Sequence, residues 1–288
     1  MEILQRAGLK GRVPEPLRPF LRQPRKYALR ILLNLRYRRP FWSGANLASL
    51  HRMVDRRRVS PASVPVIINN FNRLESLRAL VDWIQRLDGE KSIIILDNAS
   101  TYPPLRDYYR ALRASNLQVV YLGYNSGLQG IADAARELRS FRRYVVTDPD
   151  LVPYPDTPTD VLVRMDGLLD KYTRFNHVGA SIEINDIPSA YPLKEEVVAW
   201  ESKFWPPQAK RVGADGFEAA IDTTFAMYRS GAETLQINPA MRLDRPYTLK
   251  HVDWYIDPAH LTDEQRYYLT VGTVTASWTD KLRRSGHL

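Results

Sequence analysis

The sequence predicts an α/β protein in which a mostly parallel sheet is flanked by helices. Three observations predict this class. Apolar runs rich in β-branched residues recur from about residue 64, stretches with helical spacing separate them, and each run ends in polar or acidic residues. Such alternation favours parallel neighbouring strands, whose carboxyl ends lie at one edge of the sheet, where ligands bind.

Four strand-and-loop units account for the first half of the sheet. The strands are predicted at 64–68, 92–96, 117–122 and 144–147, with helices at 74–87, 105–112 and about 130–139. The helices are predicted from apolar residues at helical spacing, and the strands from short β-branched runs. This order predicts one domain half, residues 63–158, that binds a ligand at its strand ends.

Polar side chains follow all four predicted strands. They are Asn70, Asp97, Asn125, Asp148 and Asp150. Two carboxylates one residue apart suit Mg²⁺ or Mn²⁺, which is usually shared with substrate phosphates. The alternative is that these two acids only cap a turn around Pro149. The convergence of polar residues at one sheet edge favours the metal.

The sequence lacks the glycine patterns of the common nucleotide sites. There is no phosphate-loop signature, and Gly123, Gly127 and Gly130 are spaced wrongly for the dinucleotide fingerprint. Phosphates would then need a metal and a side-chain cation such as Arg73. The absence of cysteine excludes disulfides, thiolate metal sites and a cysteine nucleophile.

Charge divides the chain into an N-terminal extension and a main domain. Residues 1–60 contain 15 Lys and Arg against 3 Asp and Glu, whereas the remainder contains 26 against 29. We place the basic, partly helical extension at 1–62 and the main domain at 63–288. No apolar run is long enough to span a bilayer, and the N-terminus lacks the apolar core of a signal peptide, which predicts a cytoplasmic protein.

The sequence predicts a basic helix with a broad apolar side at 26–38 in this extension, followed by Phe41 and Trp42. Such a helix is typical of a peripheral contact with an anionic membrane surface. The alternative, a helix packed on the main domain, is equally compatible with the pattern. No nucleic acid partner is expected, because no recognition motif is present and the main domain is acidic.

The second half, residues 159–288, is less regular. Helices are predicted at 161–171 and 195–205, strands at 178–184 and within 216–229, and a closing helix capped by Thr262 and Gln265. The last strand would place Asp222 near its start. Tyr191, Trp200 and Trp205 could stack on sugar faces, although aromatic residues at helical spacing are more often core residues.

Four motifs in this order resemble those of GT-A fold glycosyltransferases, and in particular the bacterial family-2 enzymes. They are Ile67-Ile68-Asn69-Asn70-Phe71-Asn72-Arg73, Leu96-Asp97-Asn98-Ala99-Ser100, Asn125-Ser126-Gly127 and Asp148-Pro149-Asp150. Phe71 replaces the usual tyrosine. The resemblance extends from about residue 64 to the C-terminus and implies a Rossmann-like GT-A sheet that binds a nucleotide sugar.

By this resemblance, the donor site would consist of Asn70, Phe71, Arg73, Asp97, Asn125, Gly127 and Asp148. Asp97 would accept a hydrogen bond from the base, which we expect to be uracil. Asp150 would be the more direct metal ligand, with Asp148 nearer the ribose or holding the metal through water. His251, in a His-x-x-Trp-Tyr element, would complete the site, and an imidazole ligand favours Mn²⁺ over Mg²⁺.

An inverting transferase also needs a carboxylate that takes the proton of the acceptor hydroxyl. In the resembled family this acid comes from the second half of the domain. Asp222 is the first candidate, with Glu218 and Glu201 after it. The alternative for Asp222 is a turn or ion-pair residue.

These observations predict a metal-dependent hexosyltransferase that uses a nucleotide-diphosphate sugar and a hydroxyl acceptor. The acceptor would be a glycan or a lipid-linked molecule in the synthesis of a surface polysaccharide or glycolipid. Two alternatives remain. Residues 145–152 also resemble the haloacid-dehalogenase phosphatase motif, in which Asp148 would be the nucleophile. A non-catalytic relative that binds sugar or membrane is the other.

Overall fold

The computed structural model describes residues 54–288 except 113–116, 139, 222, 233–237 and 272–276. The predictions for residues 1–53, including the basic helix at 26–38, lie outside the described residues, as does Asp222. Within the described part of the chain, no helix combines the length and the apolar character needed to cross a membrane.

The described residues form seven α-helices and twelve strands. The helices are α1 (Glu75–Arg86), α2 (Pro103–Ala111), α3 (Leu128–Glu137), α4 (Val161–Lys171), α5 (Lys194–Glu201), α6 (Asp263–Thr270) and α7 (Ser277–Arg284). The strands are β1 (Val64–Asn70), β2 (Lys91–Asp97), β3 (Gln118–Tyr121), β4 (Arg143–Thr147), β5 (Leu151–Pro153), β6 (His177–Gly179), β7 (Ser181–Ile182), β8 (Lys210–Val212), β9 (Gly216–Glu218), β10 (Ala226–Arg229), β11 (Ala240–Leu243) and β12 (Thr248–His251).

The main sheet has the strand order β3-β2-β1-β4-β10-β6-β11-β9-β8. Strands β1 to β4 are mutually parallel, β10 enters antiparallel between β4 and β6, and β9 is the second reversed strand. The predicted α/β class with a mostly parallel sheet is therefore confirmed. The strands of the first half also occur along the chain in the predicted order, alternating with α1, α2 and α3.

Both faces of the main sheet are covered, which explains the unbroken apolar runs in its strands. On β1, Val66 and Ile68 belong to one buried cluster and Ile67 to another. Parallel strands that are buried on both faces have continuous apolar sequences rather than alternating apolar and polar residues. Asn70 and Asp97, the polar residues that end β1 and β2, are buried as well.

The second half departs from the predicted elements in four places. The predicted strand at 178–184 is two strands, because the chain passes at Ala180 from the main sheet into a small sheet of order β5-β12-β7. The strand expected within 216–229 is also two, β9 and β10, so Asp222 belongs to the connection between them. The helix at 195–205 ends at Glu201 and continues as a 3₁₀ turn (Ser202–Phe204). The closing helix is two helices, α6 and α7, and the predicted capping box of Thr262 and Gln265 is confirmed.

The last residues of the N-terminal extension pack on the main domain. Val54 is fully buried, and its backbone N–H donates to Oε2 of Glu137 at 2.8 Å. The backbone N–H of Asp55 donates to Oε1 of Gln118 at 2.7 Å, and Nη2 of Arg58 donates to the carbonyl oxygen of Leu117 at 2.9 Å. Residues 54–58 therefore form part of the folded domain.

Candidate active site

A cavity of about 550 Å³ opens beyond the carboxyl ends of β1, β2 and β4, within the size range of small-molecule sites. We call it the strand-end cavity. The predicted donor, metal and base residues that line it are Phe71, Arg73, Asn125, Gly127, Asp148, Asp150, Glu201 and His251. Asn70, Asp97 and Glu218 do not line it.

Asp150 and His251 face each other in this cavity. Asp150 follows β4, and His251 is the last residue of β12, which pairs antiparallel with β5 so that His251 lies opposite Leu151. Oδ2 of Asp150 is 3.7 Å from Nε2 of His251. Burial raises the pKa of Asp150, and His251 opposes that shift. The His251 ring is stacked on Trp254, with ring centres 4.6 Å apart, which fixes its orientation.

Asp148 is held by the connection between β9 and β10. Oγ1 of Thr223 donates to Oδ2 of Asp148, and the backbone N–H of Asp148 donates to the carbonyl oxygen of Thr223 at 3.0 Å. These two bonds fix the carboxylate at the end of β4. They also place Thr223, next in sequence to Asp222, beside the Asp-x-Asp motif.

Arg73 reaches the cavity from the loop after β1 and is paired with a residue that the sequence did not single out. Its Nη2 donates to Oδ2 of Asp253 at 2.6 Å, and both side chains are buried. Its guanidinium lies 4.0 Å from the ring centre of Tyr268, and Oγ1 of Thr279 also donates to Asp253 at 2.7 Å. The charge of Arg73 is therefore largely balanced by Asp253.

The pleat of β1 and β2 decides which polar residues face the cavity. Asn69 and Asn98 line it, whereas their neighbours Asn70 and Asp97 point into the opposite core. Oδ1 of Asp97 accepts from the hydroxyl of Tyr109 at 3.2 Å, and burial raises the pKa of Asp97 to about 6. The structure thus does not bring Asp97 to the strand-end cavity.

Asn98 lies in the strand-end cavity, where the sequence had predicted Asp97. Its Nδ2 donates to Oδ1 of Asn69 at 2.7 Å, and its Oδ1 accepts from the backbone N–H and hydroxyl of Ser126 at 3.0 and 2.8 Å. Asn98 therefore ties together the loops after β1, β2 and β3. The structure therefore brings an amide to this part of the cavity, rather than the expected carboxylate of Asp97.

The three candidate bases are placed differently. Glu201 lines the cavity, but its carboxylate accepts from Nη1 of Arg242 in a buried ion pair. Glu218 is exposed on β9 and lies 3.5 Å from Nη2 of Arg174. Asp222 is outside the described residues, although Ile221 and Thr223 both line the cavity.

The aromatic residues predicted for sugar stacking also separate. Tyr191 and Trp205 are buried in the core, and Nε1 of Trp205 donates to the carbonyl oxygen of Ile182 at 3.1 Å. Trp200 lines the cavity and remains 52% exposed. Only Trp200 of these three is therefore available to a ligand.

Asp150 and His251 are suited to hold a divalent metal. Oδ1 of Asp150 and Nδ1 of His251 are buried without a hydrogen-bond partner among the described residues. No group of three or more His, Cys, Asp or Glu in that part of the chain could hold an ion by itself. A carboxylate and an imidazole would thus supply two ligands, and the remainder would have to come from substrate phosphates and water.

No protein-family model matches the chain, and no curated protein matches its sequence. Among solved structures, the chain is similar to TarS from S. aureus at 14% identity and a TM-score of 0.45, over 65% of this chain and 36% of TarS. It is also similar to the mannosyltransferase PcManGT from Pyrobaculum calidifontis in complex with GDP-Man and Mn²⁺, at 15% identity and a TM-score of 0.40, over 91% of this chain and 77% of that one.

A third similar structure is glucosyl-3-phosphoglycerate synthase from Mycobacterium tuberculosis in complex with phosphoglyceric acid. Its identity is 15% and its TM-score 0.37, over 66% of this chain and 70% of that one. The chain spans less than two thirds of TarS, even in a shorter form of TarS solved with UDP, of which it covers 62%.

Proposed function

We propose that the protein is a metal-dependent glycosyltransferase that moves a sugar from a nucleoside-diphosphate donor to a hydroxyl acceptor. The observation that carries this proposal is the Asp150–His251 pair at the strand ends, with Asp148 fixed beside it by Thr223. Acids at the carboxyl ends of parallel strands are well placed to hold a metal at a ligand site.

The charge of the strand-end cavity supports a requirement for a cation. Its described lining residues include four acids, Asp148, Asp150, Glu201 and Asp253, and two arginines, Arg73 and Arg242. Each arginine is already paired with one of the acids. Four acids against two arginines leave an excess of two acids, so an anionic diphosphate would be repelled unless a cation bound with it.

Mn²⁺ or Mg²⁺ held by Asp150 and His251 would stabilise the negative charge that develops on the leaving diphosphate. In the transfer itself, the acceptor oxygen forms a bond to the anomeric carbon of the donor sugar. The bond from that carbon to the diphosphate oxygen breaks, and its electron pair leaves with the nucleotide. The hydroxyl proton passes to a carboxylate of the protein.

Asp222 is our candidate for this base. Its neighbours Ile221 and Thr223 line the cavity, and Thr223 contacts Asp148. Glu201 is less suitable because Arg242 already engages its carboxylate, and Glu218 lies outside the cavity. An Asp222→Asn variant should therefore lose turnover while it retains nucleotide binding.

For the donor we propose a UDP-hexose, bound with Phe71, Asn98 and Asn125 at the base end of the cavity. The basic composition of residues 1–60 supports a peripheral contact with an anionic membrane and hence an acceptor for a surface polysaccharide or glycolipid. Flotation with anionic vesicles, before and after deletion of residues 1–53, tests this part. Equal flotation of both forms would contradict it.

Thermal unfolding with a panel of nucleoside diphosphates and nucleotide sugars, each with and without Mn²⁺, tests the central proposal. A ligand that binds only the folded state raises the free energy of unfolding by RT ln(1 + [L]/Kd), and the unfolding temperature rises with it. We expect stabilisation by UDP with Mn²⁺, its loss in Asp150→Ala, and its retention in Asp107→Ala, which removes an exposed acid on α2. Stabilisation by no nucleotide, or equal stabilisation of Asp150→Ala, would refute the proposal.

A further inference from the structure

Four lining residues form a distinct part of the strand-end cavity, which we call the aromatic wall. They are Trp200, Glu201, Phe204 and Arg242. The first three come from the end of α5 and the 3₁₀ turn that follows it, and Arg242 comes from β11. The proposed nucleotide and metal site uses none of them.

Trp200 contributes an exposed aromatic ring to this wall. Its side chain is 52% exposed although it lines a cavity, and exposed aromatic surface in a concave site is typical of ligand binding. Phe204 meets the indole edge-on with ring centres 6.2 Å apart, and Nζ of Lys203 lies 3.0 Å from the ring centre. A ligand would therefore stack on the indole face opposite Lys203.

Beside Trp200, Glu201 and Arg242 form an ion pair that is almost completely buried. Nη1 of Arg242 donates to Oε1 of Glu201, and Nε donates to the carbonyl oxygen of Ala220 at 2.9 Å. The guanidinium lies 4.5 Å from the ring centre of Phe204. Both residues line the cavity, and their two charges balance each other.

The aromatic wall is connected to the metal end of the cavity by a short segment. Arg242 bonds to Ala220, and Thr223 bonds to Asp148. Even a fully extended chain from residue 220 to residue 223 spans only about 11 Å. A small ligand on the wall would therefore lie close to a sugar carried by a nucleotide at Asp148 and Asp150.

On the basis of the proposed function, we infer that the aromatic wall binds the acceptor and that this acceptor is an uncharged pyranose. The C–H face of a pyranose ring stacks on an aromatic plane, and its vicinal hydroxyls both donate and accept hydrogen bonds. Trp200 provides the plane, while Glu201 and Arg242 provide the acceptor and the donors. A phosphorylated acceptor is disfavoured, because Arg242 is already neutralised and the rest of the cavity is acidic.

Saturation-transfer NMR on the full chain with UDP and Mg²⁺ tests this inference. The probes are the methyl pyranosides of glucose, galactose and mannose, with glycerol 3-phosphate and 3-phosphoglycerate as anionic probes. We expect at least one pyranoside to bind and both anions to bind more weakly. Trp200→Ala should weaken pyranoside binding about tenfold, the equivalent of one aromatic contact, and Trp200→Phe should retain most of it.

Matched variants separate recognition from folding. Glu201→Gln should also weaken the pyranoside, whereas Glu183→Gln should not, although Glu183 forms a similar ion pair with Arg245 outside the cavity. Val163→Ala controls for loss of an exposed apolar side chain elsewhere, on α4. Unchanged pyranoside binding in Trp200→Ala would overturn the inference.

The two proposals fail in different ways. If the wild type shows no binding of any nucleotide in the same samples, the proposed function fails. If it binds nucleotide but no pyranoside, or prefers the anionic probes, only the acceptor assignment fails. Displacement of the bound pyranoside by UDP-glucose but not by UDP would assign the wall to the sugar of the donor and would also overturn the inference.

Discussion

Asp150 and His251 lie with Oδ2 and Nε2 3.7 Å apart, and each keeps one buried polar atom without a hydrogen-bond partner among the described residues. Buried polar atoms left without a partner cost free energy, as does a carboxylate beside a second acid, and Asp253 is such a neighbour of Asp150. Both features of the pair therefore cost the folded state stability.

Asp150→Asn should raise the free energy of unfolding of the metal-free protein by about 1 kcal/mol, because the amide carries no charge into the buried site. The same variant should lose the additional stabilisation by UDP with Mn²⁺. Urea unfolding with and without these ligands measures both effects. A variant that is less stable than the wild type without ligand would show that the carboxylate stabilises the fold.

His177 should make the protein less stable in acid. It is buried in β6 and stacked on Tyr228, and burial lowers its pKa from 6.5 to about 4. The folded state therefore binds fewer protons than the unfolded state between these values, so stability falls as pH decreases from 6.5 to 4. The loss should be on the order of 3 kcal/mol.

Urea unfolding of wild type and His177→Phe from pH 7 to pH 4 measures this dependence, because phenylalanine keeps the stacked ring but cannot be protonated. The exposed Val163, which cannot be protonated, provides the control, as Val163→Ala should leave the pH profile unchanged. Parallel profiles for wild type and His177→Phe would contradict the prediction.

Asp97 should have the opposite effect over nearly the same range. Burial raises its pKa from 3.8 to about 6, so the folded state binds a proton that the unfolded state has already lost. Its contribution to stability is complete below pH 4 and is lost as pH rises to 6, by on the order of 3 kcal/mol. Asp97→Asn should remove this loss, so that its stability relative to the wild type increases from pH 4 to pH 7. A constant difference would show that Asp97 ionises at an ordinary pKa.

Ala99 adopts a left-handed conformation in the loop after β2, with φ of +60°. This conformation costs an L-residue about 1 kcal/mol that glycine does not incur. Ala99→Gly should therefore stabilise the protein by about that amount, against the usual direction of such a change. Ala79→Gly, at an exposed position within α1, should destabilise it by about 1 kcal/mol. Equal destabilisation by both would contradict the assigned backbone geometry.

Glu264 caps α1 from the opposite end of the chain. Its Oε2 accepts from the backbone N–H groups of Leu74 and Glu75 at 2.6 and 2.9 Å, and Leu74 provides no side-chain cap of its own. Glu264→Ala should cost about 2 kcal/mol and accelerate hydrogen exchange in the first turn of α1. Glu264→Gln, which keeps an acceptor oxygen, should cost less, and Glu195→Ala on the exposed first turn of α5 should be nearly neutral.

The strand ends show how far the sequence could predict the site. It located the sheet edge, because an apolar run that stops at a polar residue marks where a buried strand ends. It could not choose between Asn69 and Asn70, or between Asp97 and Asn98. Strands that are apolar on both faces carry no alternation to indicate which side chain faces the cavity.

The ion pairs in the cavity could not be predicted from the sequence for a different reason. Arg73 and Asp253 are 180 residues apart, and Glu201 and Arg242 are 41 apart. Neither pair belongs to a motif, so only the folded chain shows that both arginines are neutralised. The sequence also could not show that the chain changes sheets at Ala180, since two short apolar strands in succession resemble one longer strand.

The alignment of β12 with β5 places His251 beside Asp150, and the short turn at residues 244–247 sets that alignment. Strand β11 is fixed in the main sheet, and the turn closes with the backbone N–H of Tyr247 donating to the carbonyl oxygen of Asp244 at 3.0 Å. One added residue would slide β12 by about 3.3 Å and turn the imidazole to the other face. The length of this turn therefore matters to the proposed metal site: one residue inserted between Asp244 and Tyr247 would move His251 away from Asp150 although no residue of that site had been replaced.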